Sequence, residues 1–371
     1  MSKKLCLIYN TAPRYREAIF RAIDAEYDCD WYFGHTKSDI KEMDTSLLKN
    51  VTYYHTIGNA EKWYLKWGTL RLLFKKKYHT YFVIPSTRSI TDWIFFWMAF
   101  TFFPKKKIYL WTHGWYGKES AREAKMKLWL YRHAEGTFCY GDYACSLLAK
   151  QGINTNKLFA IHNSLDYDQQ KKLRESISPS NIYSDHFGNS NPVIIFIGRL
   201  TKVKQLDMLV DAIAELKEKG ERYNLVFVGD GMEGESLKAK VKGLGLTDQV
   251  WFYGACYDER TNAELIYNAD LCVAPGNVGL TAMHTMVFGT PVISHNDFKW
   301  QMPEFEAIKP GITGDFFERN NVQSLACTIS KWFTEKKGTR EEVRQACYNE
   351  IDTNWNPYYQ IELLKKHLIV E

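Results

Sequence analysis

Arg199 and Lys204 follow the continuous apolar run Val193–Ile197, with Gly198 immediately before the arginine. Two cations at the end of a buried strand, beside a glycine that lets the backbone come close, suit a diphosphate: arginine offers a planar fork and lysine a point charge. The same pair would serve as solvated side chains at the start of a helix, and the local residues do not choose between these readings. Gly229-Asp230-Gly231 closes the next run, Leu225–Val228. It lacks the G-K-[ST] ending of a P-loop and the third glycine of a dinucleotide fingerprint, which excludes those two sites and leaves a simple turn as the alternative to a ligand loop.

The third span with chemical content is Ala274–Ser294. Leu271–Ala274 is apolar enough for a buried parallel strand, and Pro275-Gly276-Asn277 breaks it. Leu280, Met283, Val287 and Phe288 then recur at helical spacing until Gly289 and Pro291 end the helix. The first turn of such a helix has unpaired N–H groups and the positive end of its dipole, so the natural guest is a phosphate.

The elements that position these residues alternate between strand and helix. In the first half Leu5–Tyr9, Val51–His55, Tyr81–Pro85, Ile108–Thr112, Gly136–Tyr140 and Leu158–Ile161 read as strands, with helices over Arg16–Ala25 and Glu123–His133 and aromatic-rich helical segments between the second and third strands. Between Lys171 and Pro192 the pattern dissolves into Ser, Asn, Asp, Gly and charge, which predicts a linker at 171–192. Beyond it Val193–Ile197, Leu225–Val228, Val250–Tyr253, Leu271–Ala274 and Pro291–Ser294 predict a second doubly wound sheet, and Leu206, Leu209, Val210, Ile213 and Leu216 form the apolar stripe of its first helix. The predicted organisation is an N-terminal domain over 1–170, a C-terminal domain over 193–350, and a last segment, 351–371, whose helix (Asn354–Leu368) has no docking site legible in the sequence.

A chain of 371 residues with 45% hydrophobic residues can build a core in each of two domains. A net charge of +5 is modest for this length and gives no reason to expect nucleic acid. The eight cysteines (Cys6, Cys29, Cys139, Cys145, Cys256, Cys272, Cys327 and Cys347) form no C-x-x-C pair and read as reduced, buried thiols. The opening MSKKLCLIYN is too short in apolar character for a signal peptide, and no stretch reaches the roughly 18 apolar residues of a spanning helix, so a cytoplasmic protein is expected.

In order along the chain, Phe196-Ile197-Gly198-Arg199-Leu200 with Lys204, Val228-Gly229-Asp230-Gly231, Phe252-Tyr253-Gly254, Tyr267-Asn268-Ala269-Asp270-Leu271, and Gly279-Leu280 with Gly289-Thr290-Pro291-Val292-Ile293 closely resemble the nucleotide-sugar domain of the retaining glycosyltransferases of family four. The match is strongest over about residues 193 to 318. It is looser in the first half, where Glu135–Tyr140 with Tyr143, Lys150–Gly152 and His162-Asn163-Ser164-Leu165-Asp166 resemble the family's segments. The resemblance implies an α/β protein of the GT-B fold, two doubly wound Rossmann-like domains facing across a cleft. It implies a nucleoside-diphosphate sugar as donor substrate, no permanently bound cofactor and no required metal.

By the same resemblance Arg199 and Lys204 neutralise the donor diphosphate, Gly198 and Gly229 lie beside it, and Tyr253 with Gly254 lies by the base. The turn Asn277-Val278-Gly279-Leu280 offers backbone N–H groups to phosphate, and His113, after the strand Ile108–Thr112, lies near the sugar and the acceptor. His113 reads equally as a satisfied histidine at a strand end. The sequence departs from the family at two positions. The usual glutamates eight positions apart fall on Gly276 and His284, so neither carboxylate is present; an imidazole nitrogen accepts one ribose hydrogen bond where a carboxylate accepts two. His284 also reads as a packed core histidine. The first β–α turn, Thr11-Ala12-Pro13-Arg14-Tyr15-Arg16, replaces a Gly-Gly pair, and Arg14 and Tyr15 there would grip an acceptor or cap the helix.

Lys62–Tyr78 and Trp93–Lys107 mix aromatics with lysine clusters, which fits either an anionic membrane interface or buried helices with basic ends. Family acceptors are often carried on polyprenyl diphosphates at the inner membrane face. The expected activity is transfer of a sugar, with retention, to a hydroxyl of a glycan acceptor in bacterial surface polysaccharide synthesis. A catalytically inactive nucleotide-sugar-binding homologue and a GT-B epimerase acting on the nucleotide sugar are the alternatives.

Overall fold

The structure is a computed structural model, and it describes residues 4–35, 41–59, 62–335 and 338–370. The chain divides into two compact units, Met1–Asp166 with Asn356–Glu371, and Tyr167–Trp355.

In the first unit β1 (Lys4–Tyr9), β2 (Cys29–Phe33) and β3 (Val51–Tyr53) precede a short antiparallel hairpin, β4 (His55–Gly58) and β5 (Tyr64–Trp67). Then come β6 (Tyr78–Val83), β7 (Lys107–Thr112), β8 (Gly136–Cys139) and β9 (Leu158–Ala160), with helices α1 (Glu17–Glu26), α2 (Ile90–Phe102), α3 (Ala121–His133) and α4 (Asp142–Lys150) between strands. All strands outside the hairpin form one parallel sheet in the order β3-β2-β1-β6-β7-β8-β9. Because both faces are covered, β1 reads as an unbroken apolar run, and its residues alternate between two cores. Cys6 and Ile8 pack with Tyr81, Val83 and Leu110 on one side, whereas Leu5 and Leu7 pack with Phe82, Tyr109 and Trp111 on the other.

The C-terminal helix spans Pro357–His367, with proline in its first turn and the Asn356 side chain accepting from Tyr359 N. It docks on the first unit: Leu364 and Leu368 join the second of those cores, and Thr80 Oγ1 donates to Ile369 O at 3.1 Å. The expected helix over Asn354–Leu368 therefore begins later. Residues 351–354 instead end the preceding helix, which stays with the other unit. One further reading is corrected here. The aromatic segment between the second and third expected strands, read as helical, is the hairpin plus a 3-10 helix, Thr69–Phe74. Cys29–Phe33 forms strand β2, buried along its length.

The second unit runs α5 (Tyr167–Ser176), α6 (Ile182–Phe187), β10 (Val193–Ile197), α7 (Leu206–Glu218), β11 (Asn224–Val228), α8 (Gly234–Gly243), β12 (Val250–Gly254), α9 (Glu259–Asn268), β13 (Leu271–Ala274), α10 (Leu280–Met286), β14 (Val292–His295), β15 (Gly314–Phe317), α11 (Val322–Thr334) and α12 (Arg340–Asn354). Its parallel sheet has the order β12-β11-β10-β13-β14-β15. The order reverses between β10 and β13, and ligands of such sheets bind outside the carboxyl ends of the strands at that reversal. The segment read as a linker, 171–192, is mostly helical and belongs to this unit. Arg174 grips Asp352 of α12 with two nitrogens at 2.9 and 2.7 Å, and Tyr183 is buried with its hydroxyl on Leu265 O. Their side chains are mostly polar and bind by hydrogen bonds, so no apolar period announces these helices.

All eight cysteines are free. Cys6, Cys29, Cys139, Cys272 and Cys347 are buried, Cys145 and Cys256 are half-buried, and Cys327 is exposed, which corrects the expectation for those last three. Among the described residues no helix is long and apolar enough to cross a membrane.

Candidate functional site

The reversal between β10 and β13 brings two strand-end loops into backbone contact. Gly276 N donates to Lys204 O at 2.9 Å, and a Cβ at Gly276 would lie 2.0 Å from Val203 O. No side chain fits at 276, because the loop after β10 lies directly on the turn after β13. Gly229 is required for a related reason: at φ 146° its missing Cβ would meet Gly198 O at 1.9 Å. Gly198 N in turn donates to Val228 O at 2.9 Å, which ties the ends of β10 and β11 together.

Lys204 is held over the second turn. Its Nζ donates to Asn277 O at 2.7 Å and to Asn277 Oδ1 at 2.9 Å, and a Cβ at Gly279 would lie 3.9 Å from the same nitrogen. Burial pushes the Lys204 amine down to about 8; the buried carboxylate of Glu304 opposes that shift and Arg199 adds to it. Arg199 is exposed, and its side chain has no hydrogen bond or ion pair among the described residues. The two cations thus differ in kind: one is clamped and partly desolvated, the other stands free in water.

The turn itself is braced from behind. Val278 is fully buried, and its N–H donates to Gln301 Oε1 at 2.9 Å, so this N–H is not available to a phosphate as expected. Gln301 Nε2 donates to Ser294 Oγ at 2.7 Å and His295 O at 3.0 Å. Gly276, likewise, has its N–H committed to Lys204 O. Gly279, at φ 54°, precedes Leu280 and the seven residues of α10, and Thr281 Oγ1 donates to Ile197 O at 3.1 Å, which fastens the start of that helix to β10. Gln301 had no sequence signal: it lies outside every periodic segment.

His284, one turn into α10, meets a carboxylate that the sequence did not connect with it. Its Nε2 lies 3.0 Å from Glu259 Oε1, which also accepts from Gln170 Nε2 at 2.8 Å. Burial works against the Glu259 charge, but the His284 contact and the Gln170 and Asn262 hydrogen bonds hold its carboxyl below the usual range. Tyr253 is half-buried at the end of the edge strand β12, its ring 5.1 Å from Trp251, and its hydroxyl has no hydrogen bond among the described residues.

The first unit carries its own cavity of about 990 Å³ at the carboxyl edge of its sheet. Asn10 and Thr11 after β1, Ser86 and Arg88 after β6, and His113 after β7 line it, together with Lys127 of α3. Burial pushes the His113 imidazole down to about 4, with Arg16 and Lys127 adding to the shift, so the ring is neutral at physiological pH. Its Nδ1 is buried without a hydrogen-bond partner among the described residues. Arg14 and Tyr15 are exposed and do not line the cavity. The turn instead buries Arg16, whose guanidinium lies 4.6 Å from the Tyr140 ring and 5.1 Å from that of Trp111. The 3-10 geometry of Arg14–Arg16 decides which of three neighbouring polar or aromatic side chains turns inward, and alternation in the sequence does not reveal it.

The two doubly wound units have the GT-B fold. Residues 183–350 match the family model described as glycosyl transferases group 1. The chain is 29% identical over 184 residues to mannosylfructose-phosphate synthase of Agrobacterium fabrum (46% of this chain, 39% of that protein). It is 27% identical over 176 residues to 2-deoxystreptamine glucosyltransferase of Streptomyces kanamyceticus (45% and 44%). In both matches, less than half of the curated relative's length is spanned. Among solved structures, Alr3699/HepE of Anabaena in complex with UDP superposes with a TM-score of 0.72 at 17% identity over 99% of both chains. The apo form of the lipopolysaccharide outer core galactosyltransferase WaaB does so with a TM-score of 0.70 at 16% identity over 98% of this chain and 99% of the other. These structural likenesses concern the fold.

Proposed function

We propose that the protein is a retaining glycosyltransferase that moves a sugar from a nucleoside-diphosphate donor to a hydroxyl of a glycan acceptor. The observation that carries this reading is the Lys204 amine clamped by Asn277 beside the Gly279 turn at the β10/β13 reversal. A fixed cation in a partly desolvated site stabilises charge that develops on a departing diphosphate, and it needs no reorganisation as the bond breaks. Arg199, free to move, would close on the outer phosphate oxygens once the donor is bound. The scheme calls for no metal ion. UDP in the complex with Alr3699/HepE, and the sugar-transferring names of the curated relatives, support a nucleotide-sugar donor.

On the other unit, the neutral His113 at the cavity wall is suited to accept a hydrogen bond from an acceptor hydroxyl. The acceptor we assign is a growing bacterial surface glycan carried on a polyprenyl diphosphate, which would place the working enzyme at the cytoplasmic membrane face.

The absence of both glutamates favours a second reading, a homologue that binds the nucleotide sugar without turning it over. Incubation with UDP-, GDP- and ADP-sugars, followed by measurement of free nucleoside diphosphate, separates the two. Release from at least one donor, reduced at least tenfold by Arg199→Ala and by Lys204→Ala, is the expected result. Tight nucleotide binding with no release from any donor, in the presence of varied glycan acceptors, would favour the binding homologue. Product analysis with donor alone would reveal an epimerase.

A further inference from the structure

α2 is apolar on both faces: it buries Phe95, Phe96 and Ala99 and exposes a second apolar stripe. A helix on the surface of a water-soluble domain buries its apolar stripe and exposes its charges, yet the one charged residue of Ile90–Phe102 is Asp92, which is buried and paired with the buried Lys66 at 2.8 Å. Ile90, Ile94 and Trp97, spaced four and three apart on one stripe, point outward instead, with Trp97 52% exposed. The Phe102 ring, 59% exposed, meets Trp97 edge-on at 5.3 Å. At 13 residues the helix is about 20 Å long, too short for the roughly 30 Å core of a bilayer.

The hairpin beside it continues the pattern. Lys66 N donates to Thr91 Oγ1 at 2.9 Å, so β5 is tied to α2 by backbone as well as by the ion pair, and the neighbouring Trp63 and Trp67 are 53% and 60% exposed. At the other end of α2, Phe74 lies edge-on to Phe103 at 5.3 Å, and Lys106 Nζ donates to Lys75 O at 3.3 Å. These contacts bring the lysine runs 75–77 and 105–107 together. Arg71, Lys76 and Lys105 are exposed, and their side chains have no partner among the described residues.

We infer that this face, α2 with the β4–β5 hairpin and the 3-10 helix Thr69–Phe74, is a docking surface for an anionic lipid bilayer. Tryptophan and phenylalanine enter the headgroup and acyl boundary, and unpaired lysine and arginine at their edge meet lipid phosphates. Charge complementarity favours that occupant over a second copy of the chain, whose matching face would set the same cations against each other. The inference stands on geometry independent of the transfer reading.

The test is co-sedimentation of the full chain with vesicles of phosphatidylcholine alone or mixed with phosphatidylglycerol, at low and high salt. The wild type should pellet with the anionic vesicles at low salt and be released by high salt. Trp97→Ser with Phe102→Ser, and separately Lys76→Glu with Lys105→Glu, should each lower the partition coefficient at least tenfold. Both variants change exposed side chains, and unchanged thermal unfolding midpoints would exclude misfolding as the cause. Nucleotide release with a water-soluble acceptor should be the same in all three proteins, which separates docking from transfer. A wild type that stays in the supernatant, variants that pellet as it does, or a dimer that Trp97→Ser converts to monomer would overturn the inference.

Discussion

Lys204 Nζ lies 2.7 Å from the carbonyl oxygen and 2.9 Å from the side-chain oxygen of Asn277, so the cation after β10 is held by the turn after β13. Removing the side-chain half of that clamp by Asn277→Ala leaves Lys204 on a single carbonyl. A hydrogen bond to a charged group contributes about 1.5–3 kcal/mol, so nucleoside diphosphate release should fall about tenfold, less than in Lys204→Ala. The double variant should be no slower than Lys204→Ala alone, because the two residues act through one nitrogen. Additive losses in a double-mutant cycle would show that Asn277 acts separately.

The same nitrogen should make nucleoside diphosphate binding sensitive to alkali. Below about 8 the free enzyme's Lys204 carries its charge, and above it the amine is increasingly neutral. A bound diphosphate favours the protonated form and raises the pKa, so affinity is full below that pH and is lost as pH rises through it, by up to about tenfold per unit. Calorimetric titration with UDP from neutral pH to about 9.5 should show the decline in the wild type and a flat profile in Lys204→Ala.

Gly276 is where the resemblance expects a glutamate, and the geometry leaves no room for one. With Val203 O at 2.0 Å and Lys204 Cα at 2.8 Å from the added Cβ, both neighbours are backbone and cannot rotate away. Gly276→Ala should lower stability by about 1–3 kcal/mol and displace Lys204, and Gly276→Glu should reduce nucleotide release further. Differential scanning calorimetry reads the first effect. An unchanged midpoint would mean that the loop after β10 moves aside freely.

The Lys66–Asp92 pair, with side-chain exposures of 0% and 6%, joins the hairpin to α2. Asp92→Ala leaves a buried ammonium without its counter-ion and should destabilise the first unit by about 3–5 kcal/mol. Replacing both partners at once, Lys66→Met with Asp92→Leu, should recover a large part of that loss, as measured by urea unfolding. A double variant as unstable as Asp92→Ala would locate the defect in the Ser86 N–H, which also donates to Asp92 at 2.9 Å.

Much of the second sheet was legible in the chain because its strands are buried on both faces. Val193–Ile197 and Leu271–Ala274 are observed with the boundaries their apolar runs predicted, and Arg199, Lys204 and the 276–280 turn fall at strand ends for that reason. The partners of those residues were not legible. Glu259 reaches His284 across 25 positions of sequence, and Gln301 reaches back 23 to Val278. In each case two polar side chains meet because separate loops converge at one sheet edge, and no local period encodes the meeting. The first unit was read less well, since β2 mixes Asp30 with aromatics. Asp30 is accepted into the interior only because Lys4, Lys77 and the Tyr78 hydroxyl converge on it.

What the sequence by itself determined is the list of strands with continuous apolar runs, the glycines at their ends and the cations beside them, since these depend on interactions within a few residues. Tertiary structure decided which of those groups remain available. It committed the N–H groups of Gly276 and Val278, turned Arg16 inward while leaving Arg14 and Tyr15 in water, and docked the C-terminal helix on the first unit. It also set Trp97 outward and Asp92 inward on one helix. The reason is the same throughout: a buried polar group must find its partner wherever the fold supplies one, and that partner is seldom a neighbour in sequence.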